Sequence, residues 1–173
     1  MSDLSGAASL EIAAPVERCF AIAADVERAP EWQGAMRSAR ALRRGADGRP
    51  ELVETEIDAL VAKVSLVLRF DYDEPHGLSW RREDGDLKGL EGSWRFEPRG
   101  DGVTLATYAL DIRLNRALAL LRKGVRGPAE TRVRALLVDR PLHGLRREAR
   151  TPGRLAVPGR LEPSRRPDRW YYR

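Results

Sequence analysis

The chain has 173 residues with a single cysteine, and its 31 basic and 26 acidic residues give a net charge of +5. This length suits one domain with a substantial hydrophobic core, and one cysteine excludes both an internal disulfide and a cysteine-only metal cluster. The longest apolar runs are much shorter than the roughly 18 residues of a membrane span. The first residues lack the basic and apolar regions of a signal peptide, so we expect a cytoplasmic protein.

The excess positive charge is confined to the C-terminal segment. Residues 150–173 contain seven arginines and two acidic residues, so residues 1–149 carry no net charge. A nucleic-acid-binding domain would carry basic residues across its folded surface, and this distribution therefore makes nucleic acid an unlikely partner. We expect residues 1–149 to form the folded domain and residues 150–173, rich in proline and arginine, to form a disordered tail.

The chain begins with a predicted strand and two short helices. Residues 6–15 alternate between apolar and polar side chains, as in a strand. Pro15 suits the first turn of a helix because its missing N–H is not needed there. Apolar residues then recur at helical spacing at Val16, Cys19, Phe20 and Ala23. Pro30 ends that helix, and a second short helical turn carries Trp32 and Met36.

Residues 37–112 predict about six antiparallel strands in succession. Turn residues separate them at Gly45–Arg49, at Pro75–Gly77, in the sequence EDGD and at Arg99–Gly102. The clearest strand directs one set of apolar side chains to a single face: Val64, Leu66, Leu68, Phe70 and Tyr72.

The last hairpin of this series, residues 86–112, carries bulky side chains on one face. Trp94 and Phe96 share that face on its first strand, and Tyr108 and Leu110 lie opposite them on the second. Trp80 continues the apolar face on the preceding strand. We expect two glycines of this hairpin to ease a bend of the sheet, namely Gly89 and Gly92.

After Asn115 the apolar residues follow a helical period. A short apolar segment precedes a long helix that is predicted to begin at Pro128. Its buried stripe consists of Val133, Leu136, Leu137 and Leu145. Pro141 and Gly144 predict a kink. Only this helix is long enough to cover the apolar face of the sheet, and a strongly curved sheet around one helix can leave a cavity between them.

Three segments of the sequence resemble the START-like (SRPBCC) superfamily: PVERCFAIAADVERAPEWQGAMRSARAL, GLSWRREDGDLKGLEGSWRFEPRGDGVTLATYALDI and LHGLRREA. They look closest to its polyketide cyclase/dehydrase and lipid-transport branch, which includes coenzyme-Q-binding proteins, and the resemblance covers about residues 7–149. It implies an α+β helix-grip fold, in which a curved antiparallel sheet of six to seven strands wraps around a long C-terminal helix and two short helices follow the first strand.

The resemblance also implies a function. Family members hold hydrophobic ligands between sheet and helix, so we expect this chain to bind a lipid, a quinone or a polyketide-like molecule for sequestration or transport. The implied ligand-binding residues on the inward face are Phe70, Trp80, Trp94, Tyr108 and Leu110. Trp32 and Met36 resemble the segment at the mouth of the cavity. No cofactor is implied.

Several alternatives remain open. The aromatic face could be ordinary core packing, or the cavity could belong to a cyclase or dehydratase, for which Tyr108 and Arg82 are the only polar candidates and no catalytic residue is assigned. A ribosome-association role is a third function. The tail of residues 150–173 could be a solubilising extension, a contact with anionic membranes or a contact with RNA.

The remaining reactive residues predict little chemistry. Cys19 lies on the apolar stripe of the first helix, which favours an inert buried thiol. The two histidines, His76 and His143, lack the spacing of metal ligands, and we expect no metal site.

Overall fold

The computed structural model describes residues 4–58, 63–123 and 135–152. Seven strands make one antiparallel sheet in the order β1-β7-β6-β5-β4-β3-β2. Their bounds are β1 Leu4–Ile12, β2 Met36–Arg44, β3 Pro50–Asp58, β4 Lys63–Asp73, β5 Gly77–Gly85, β6 Gly89–Gly100 and β7 Val103–Arg113. Strands β2 to β7 follow one another as a meander, and β1 pairs with β7.

Two-residue alternation places one face of each strand in the core, as the sequence predicted. In β4 every second residue from Val64 to Phe70 is buried, while Lys63 and Ser65 are exposed. In the last hairpin Trp94 lies opposite Tyr108. The buried face is the concave face of the curved sheet, and the polar face is convex.

The helical elements are α1 Val16–Ala24, a 3₁₀ turn Val26–Arg28, α2 Pro30–Gln33 and α3 Arg116–Lys123, followed by a π-helical segment Ala135–Asp139 that leads into α4 Arg140–Arg150. Of these, α1, α2 and α4 pack against the sheet. The helix α4 contacts α1, α2, β1 and β7. This arrangement, a curved antiparallel sheet around a C-terminal helix, is the helix-grip fold that the sequence predicted.

Pro141 lies close to the start of the C-terminal helix α4. The backbone is π-helical up to Asp139 and α-helical from Arg140, so Pro141 lies beside the junction where the helical hydrogen-bond pattern changes. Leu145 is fully buried, as predicted, whereas Leu137 was predicted to be buried and is half-buried. The predicted helix start at Pro128 and the side chains of Val133 and Leu136 lie outside the described residues.

Arg18 of α1 secures the end of α4. Its Nε donates to the carbonyl of Ala149 at 2.7 Å, and its Nη2 donates to the carbonyl of Thr151. These carbonyls have no partner within the helix, and a cation near them also interacts favourably with the helix dipole. The helix ends at Arg150, and the predicted tail lies outside the described residues from position 153 onward.

The prediction for Met36 was wrong. It was expected on a helical turn with Trp32, but α2 ends at Gln33 and Met36 is the first residue of β2. Gly34 follows α2 with φ +78°, a left-handed conformation that ends a helix and turns the chain into the strand. Trp32 is on the predicted helical turn and is buried.

Candidate functional site

A continuous series of aromatic rings crosses the middle of the concave face. Five predicted site residues belong to it, and the structure brings them together. Ring centroids are 5.9 Å apart for Phe70 and Trp80, 5.6 Å for Trp80 and Tyr108, 4.7 Å for Tyr108 and Trp94, and 6.2 Å for Trp94 and Trp32. All five side chains are buried. Edge and tilted contacts between rings at these distances add to the stability that burial alone provides. We call these five packed rings the aromatic layer.

Gly92 makes room for the indole of Trp80. The two residues lie opposite each other on β6 and β5, and a Cβ on Gly92 would lie 2.3 Å from two ring carbons of Trp80. The glycine therefore allows the ring to lie flat across the neighbouring strand. We had expected Gly92 to ease a bend; the close approach of Trp80 is the reason that the structure gives.

The remaining two predicted site residues lie beside the aromatic layer and are only half-buried. Leu110 of β7 lies between Gly6 of β1 and Gly92 of β6, neither of which has a side chain. Met36 lies at one end of the sheet, opposite the half-buried Ile57 of β3.

This end of the sheet is where β2, β4 and β6 begin and where β1 also begins; we call it the Met36 end. Four hydrophobic residues at this end are half-buried and pack against the core, namely Leu4, Met36, Ile57 and Leu114, whereas Val64, Leu90 and Ile112 beside them are buried. The concave face thus has a closed aromatic centre and, at the Met36 end, both buried and half-buried aliphatic residues.

Arg82 is the charged side chain between these two regions. It follows Trp80 by two residues on β5, and it lies opposite the buried Leu68 of β4. The pairing of β4 and β5 is irregular at this point, with a register shift between Val67 and Leu68. Bulges of this kind re-aim side chains and are common beside functional sites.

Burial makes two titratable side chains on the concave side, Tyr108 and Cys19, harder to deprotonate. Burial raises the pKa of the Tyr108 phenol. Burial also raises the pKa of the Cys19 thiol, and a hydrogen bond with Thr104 and the charge of Arg18 only partly oppose this shift. A protonated buried thiol is a poor nucleophile, which supports the prediction that Cys19 is inert.

The described residues contain no group of histidine, cysteine and carboxylate side chains arranged to hold a metal ion. His76 and His143 are both exposed and lie on different elements, a turn and α4. No helix in the described part of the chain is long and apolar enough to cross a membrane.

The convex face carries a different kind of surface. A depression of about 790 Å³ crosses β5, β6, β7 and β1, and its row of paired residues is small: Ser79, Ser93, Ala109 and Ala7. The Arg81–Asp71 ion pair, 3.1 Å between Nη1 and Oδ2, lies at its side. This mixed polar lining suits an apolar ligand less well than the concave face does.

A family model matches residues 12–139, most of the described fold. The chain belongs to the polyketide cyclase/dehydrase and lipid transport family. The matched range includes every strand from β2 to β7 and all seven predicted site residues. The START-like resemblance of the sequence is therefore confirmed. Among curated protein sequences, none matches the chain.

Solved structures share this fold. A START superfamily protein from Mycobacterium smegmatis is 20% identical with a TM-score of 0.70, covering 84% of this chain and 96% of that one. A protein from Thermus thermophilus is 23% identical with a TM-score of 0.69, covering 84% and 97%. The Zhui aromatase/cyclase from Streptomyces sp. R1128 is 17% identical with a TM-score of 0.65, covering 84% and 93%. At these identities the similarity establishes the fold.

Proposed function

We propose that this member of the polyketide cyclase/dehydrase and lipid transport family binds a hydrophobic small molecule on the concave face, for sequestration or transport. A lipid, a quinone and a polyketide-like molecule all have the required apolar surface. The observation that carries the proposal is the contrast between the packed aromatic layer and the half-buried residues beside it, Leu110 and Met36.

The aromatic layer would act as a rigid floor for the ligand. Its rings are held in place by contacts with one another and with the strands. Binding a ligand beside them therefore costs little side-chain entropy. Leu110 has glycines on both neighbouring strands, and the Trp80 indole lies over one of them, Gly92. Burial of the exposed part of this surface would contribute about 25 cal/mol per Å² before the costs of association.

A binding function is favoured over a cyclase or dehydratase on the same face. Dehydration requires a group that removes a proton. A tyrosine phenol is protonated at neutral pH, burial raises the pKa of Tyr108 further, and arginine stays protonated in proteins. Both polar candidates can therefore donate a hydrogen bond to a ligand oxygen but are unsuited to act as a base.

The test uses Nile red, an uncharged hydrophobic dye whose fluorescence rises in apolar surroundings. We expect saturable binding with one site per chain, and displacement by 1-dodecanol. Leu110→Trp, which adds a bulky ring at this half-buried position, should weaken binding about tenfold, the equivalent of about 1.4 kcal/mol. Ala109→Trp is the matched control, because its side chain is on the convex face of the same strand, and it should leave binding unchanged.

Native mass spectrometry of the protein as purified provides the second readout. An apolar molecule retained by the wild type and by Ala109→Trp, but lost from Leu110→Trp, would support the proposal and identify the ligand. Absence of saturable Nile red binding, or equal loss in both variants, would overturn it.

A further inference from the structure

Arg82 has an unsatisfied donor on the side of the sheet where arginine is least expected. Its side chain is 26% exposed, and its Nε is buried without a hydrogen-bond partner among the described residues. Its Nη2 donates to the carbonyl of Gly85 at 3.1 Å and lies 3.7 Å from Oδ1 of Asp84. Because the Asp84 side chain is 83% exposed, that ion pair is weak.

Other arginines of this chain show what the Nε and Nη2 atoms bind when a partner is present. Arg69, on the convex face of β4, donates from Nε and Nη2 to the two carboxylate oxygens of Glu83, at 3.0 and 2.9 Å. The same edge of the guanidinium binds a carboxylate in three further pairs: Arg28–Glu31, Arg40–Glu54 and Arg43–Glu51. In Arg82 this edge has a carbonyl at Nη2 and no acceptor at Nε among the described residues.

An unsatisfied donor of this kind is expensive to maintain. Leaving a buried polar group without a partner costs about 1–3 kcal/mol, and more when the group is charged. Arg82 lies on the concave face because it follows Trp80 by two residues on β5, opposite Leu68. Unsatisfied buried groups in folded proteins call for an explanation, and a ligand atom that completes the hydrogen bond is a direct one.

We propose that Arg82 anchors the ligand through its Nε–H, and that the ligand is an apolar molecule ending in a carboxylate, of the fatty-acid type. This inference rests on the proposed function and narrows it to one ligand class. A carboxylate is favoured over a ketone because it also neutralises a guanidinium whose nearest described carboxylate is exposed. The apolar body would then extend from Arg82 over Trp80 towards Leu110.

The test compares dodecanoate with 1-dodecanol below their aggregation concentrations, by displacement of Nile red. We expect dodecanoate to bind at least tenfold more tightly, in line with hydrogen bonds to charged groups. Arg82→Met should abolish this preference, so that dodecanoate and 1-dodecanol bind with similar affinity. Arg82→Lys, which retains the charge but loses the planar fork, should keep only part of it. Arg81→Met, on the convex face of the same strand, is the control and should behave as wild type.

Thermal denaturation without ligand gives an independent readout. Replacing an unsatisfied buried donor by an apolar group of similar shape should leave the melting temperature of Arg82→Met equal to or above that of wild type. A large fall would show that Arg82 is structural and would overturn the inference. Equal binding of dodecanoate and 1-dodecanol by wild type would also overturn it while leaving the proposed function intact. Failure of both probes and of Nile red would reject the proposed function itself.

Discussion

The contact between α4 and α2 depends on the absence of a side chain at Gly144. A Cβ at this position would lie 2.1 Å from the carbonyl oxygen of Trp32, whereas ordinary van der Waals contacts are 3.4–4 Å. Gly144→Ala must therefore separate the two helices by about 1 Å. Overpacking typically costs about 1–3 kcal/mol, and alanine recovers about 1 kcal/mol of helix propensity. We expect the free energy of unfolding to fall by about 1 kcal/mol.

For a chain of this length, a loss of about 1 kcal/mol corresponds to a fall of about 2–4 °C in melting temperature, which thermal denaturation by circular dichroism resolves. His143→Ala is the matched control, because it changes an exposed neighbour on the same helix and should leave the melting temperature nearly unchanged. Since Trp32 contacts Trp94, the tryptophan emission of Gly144→Ala should also shift. A melting temperature equal to or above that of wild type would refute the close contact, because helix propensity alone would then decide the outcome.

Two further predictions test the aromatic layer. Gly92→Ala should displace the Trp80 indole, increase acrylamide quenching of tryptophan fluorescence and lower the melting temperature, whereas Ser93→Ala on the convex face should do neither. The raised pKa of Tyr108 means that above about pH 10 the unfolded chain loses the phenol proton first, so the free energy of unfolding should fall as pH rises. Urea titrations between about pH 9 and pH 11, values around the ordinary tyrosine pKa, should show a shallower decline for Tyr108→Phe; an equal decline would contradict the burial of the phenol.

The strands were predictable because a period of two residues is a local signal. Each residue from Val64 to Phe70 takes its face from its neighbours in sequence, and the turn between β6 and β7 fixes the register that sets Trp94 opposite Tyr108. Met36 was misassigned because the end of a four-residue helix depends on one backbone conformation, that of Gly34. Apolar spacing does not reveal this conformation.

The roles of glycine and proline were harder to infer, because they depend on distant parts of the chain. Gly144 was expected to disturb a helix, and the structure shows that it admits the backbone of a segment over a hundred residues earlier. Pro141 was expected to interrupt the C-terminal helix, and it falls where π-helical backbone gives way to α4. Both residues were identified as unusual, but their partners could be found only in three dimensions.

The sequence predicted that the candidate site residues share one face of the sheet. It did not predict the division of that face into a packed aromatic layer and half-buried residues beside it. Alternation identified Trp80, Trp94, Tyr108 and Leu110 as sharing the inner surface, and it could not show that the rings would contact one another while Leu110 stayed half-buried. That division follows from register across three strands, which sets Leu110 between two glycines. Arg82 followed the same alternation, but only the structure shows its missing acceptor among the described residues.

The distribution of arginines connects stability with ligand choice. On the convex side each guanidinium of the β4–β5 pair has a carboxylate: Arg69 bridges Glu51 and Glu83, and Arg81 contacts Asp71. These exposed pairs add little individually, but their guanidinium groups already have the anionic partner that a ligand would supply. On the concave side Arg82 has an incomplete partner set within the described residues, so a ligand carboxylate would relieve an existing cost in addition to making a new contact. Such a ligand stabilises the folded state in proportion to the logarithm of its concentration. The extra stabilisation by dodecanoate over 1-dodecanol should be lost in Arg82→Met and kept in Arg81→Met.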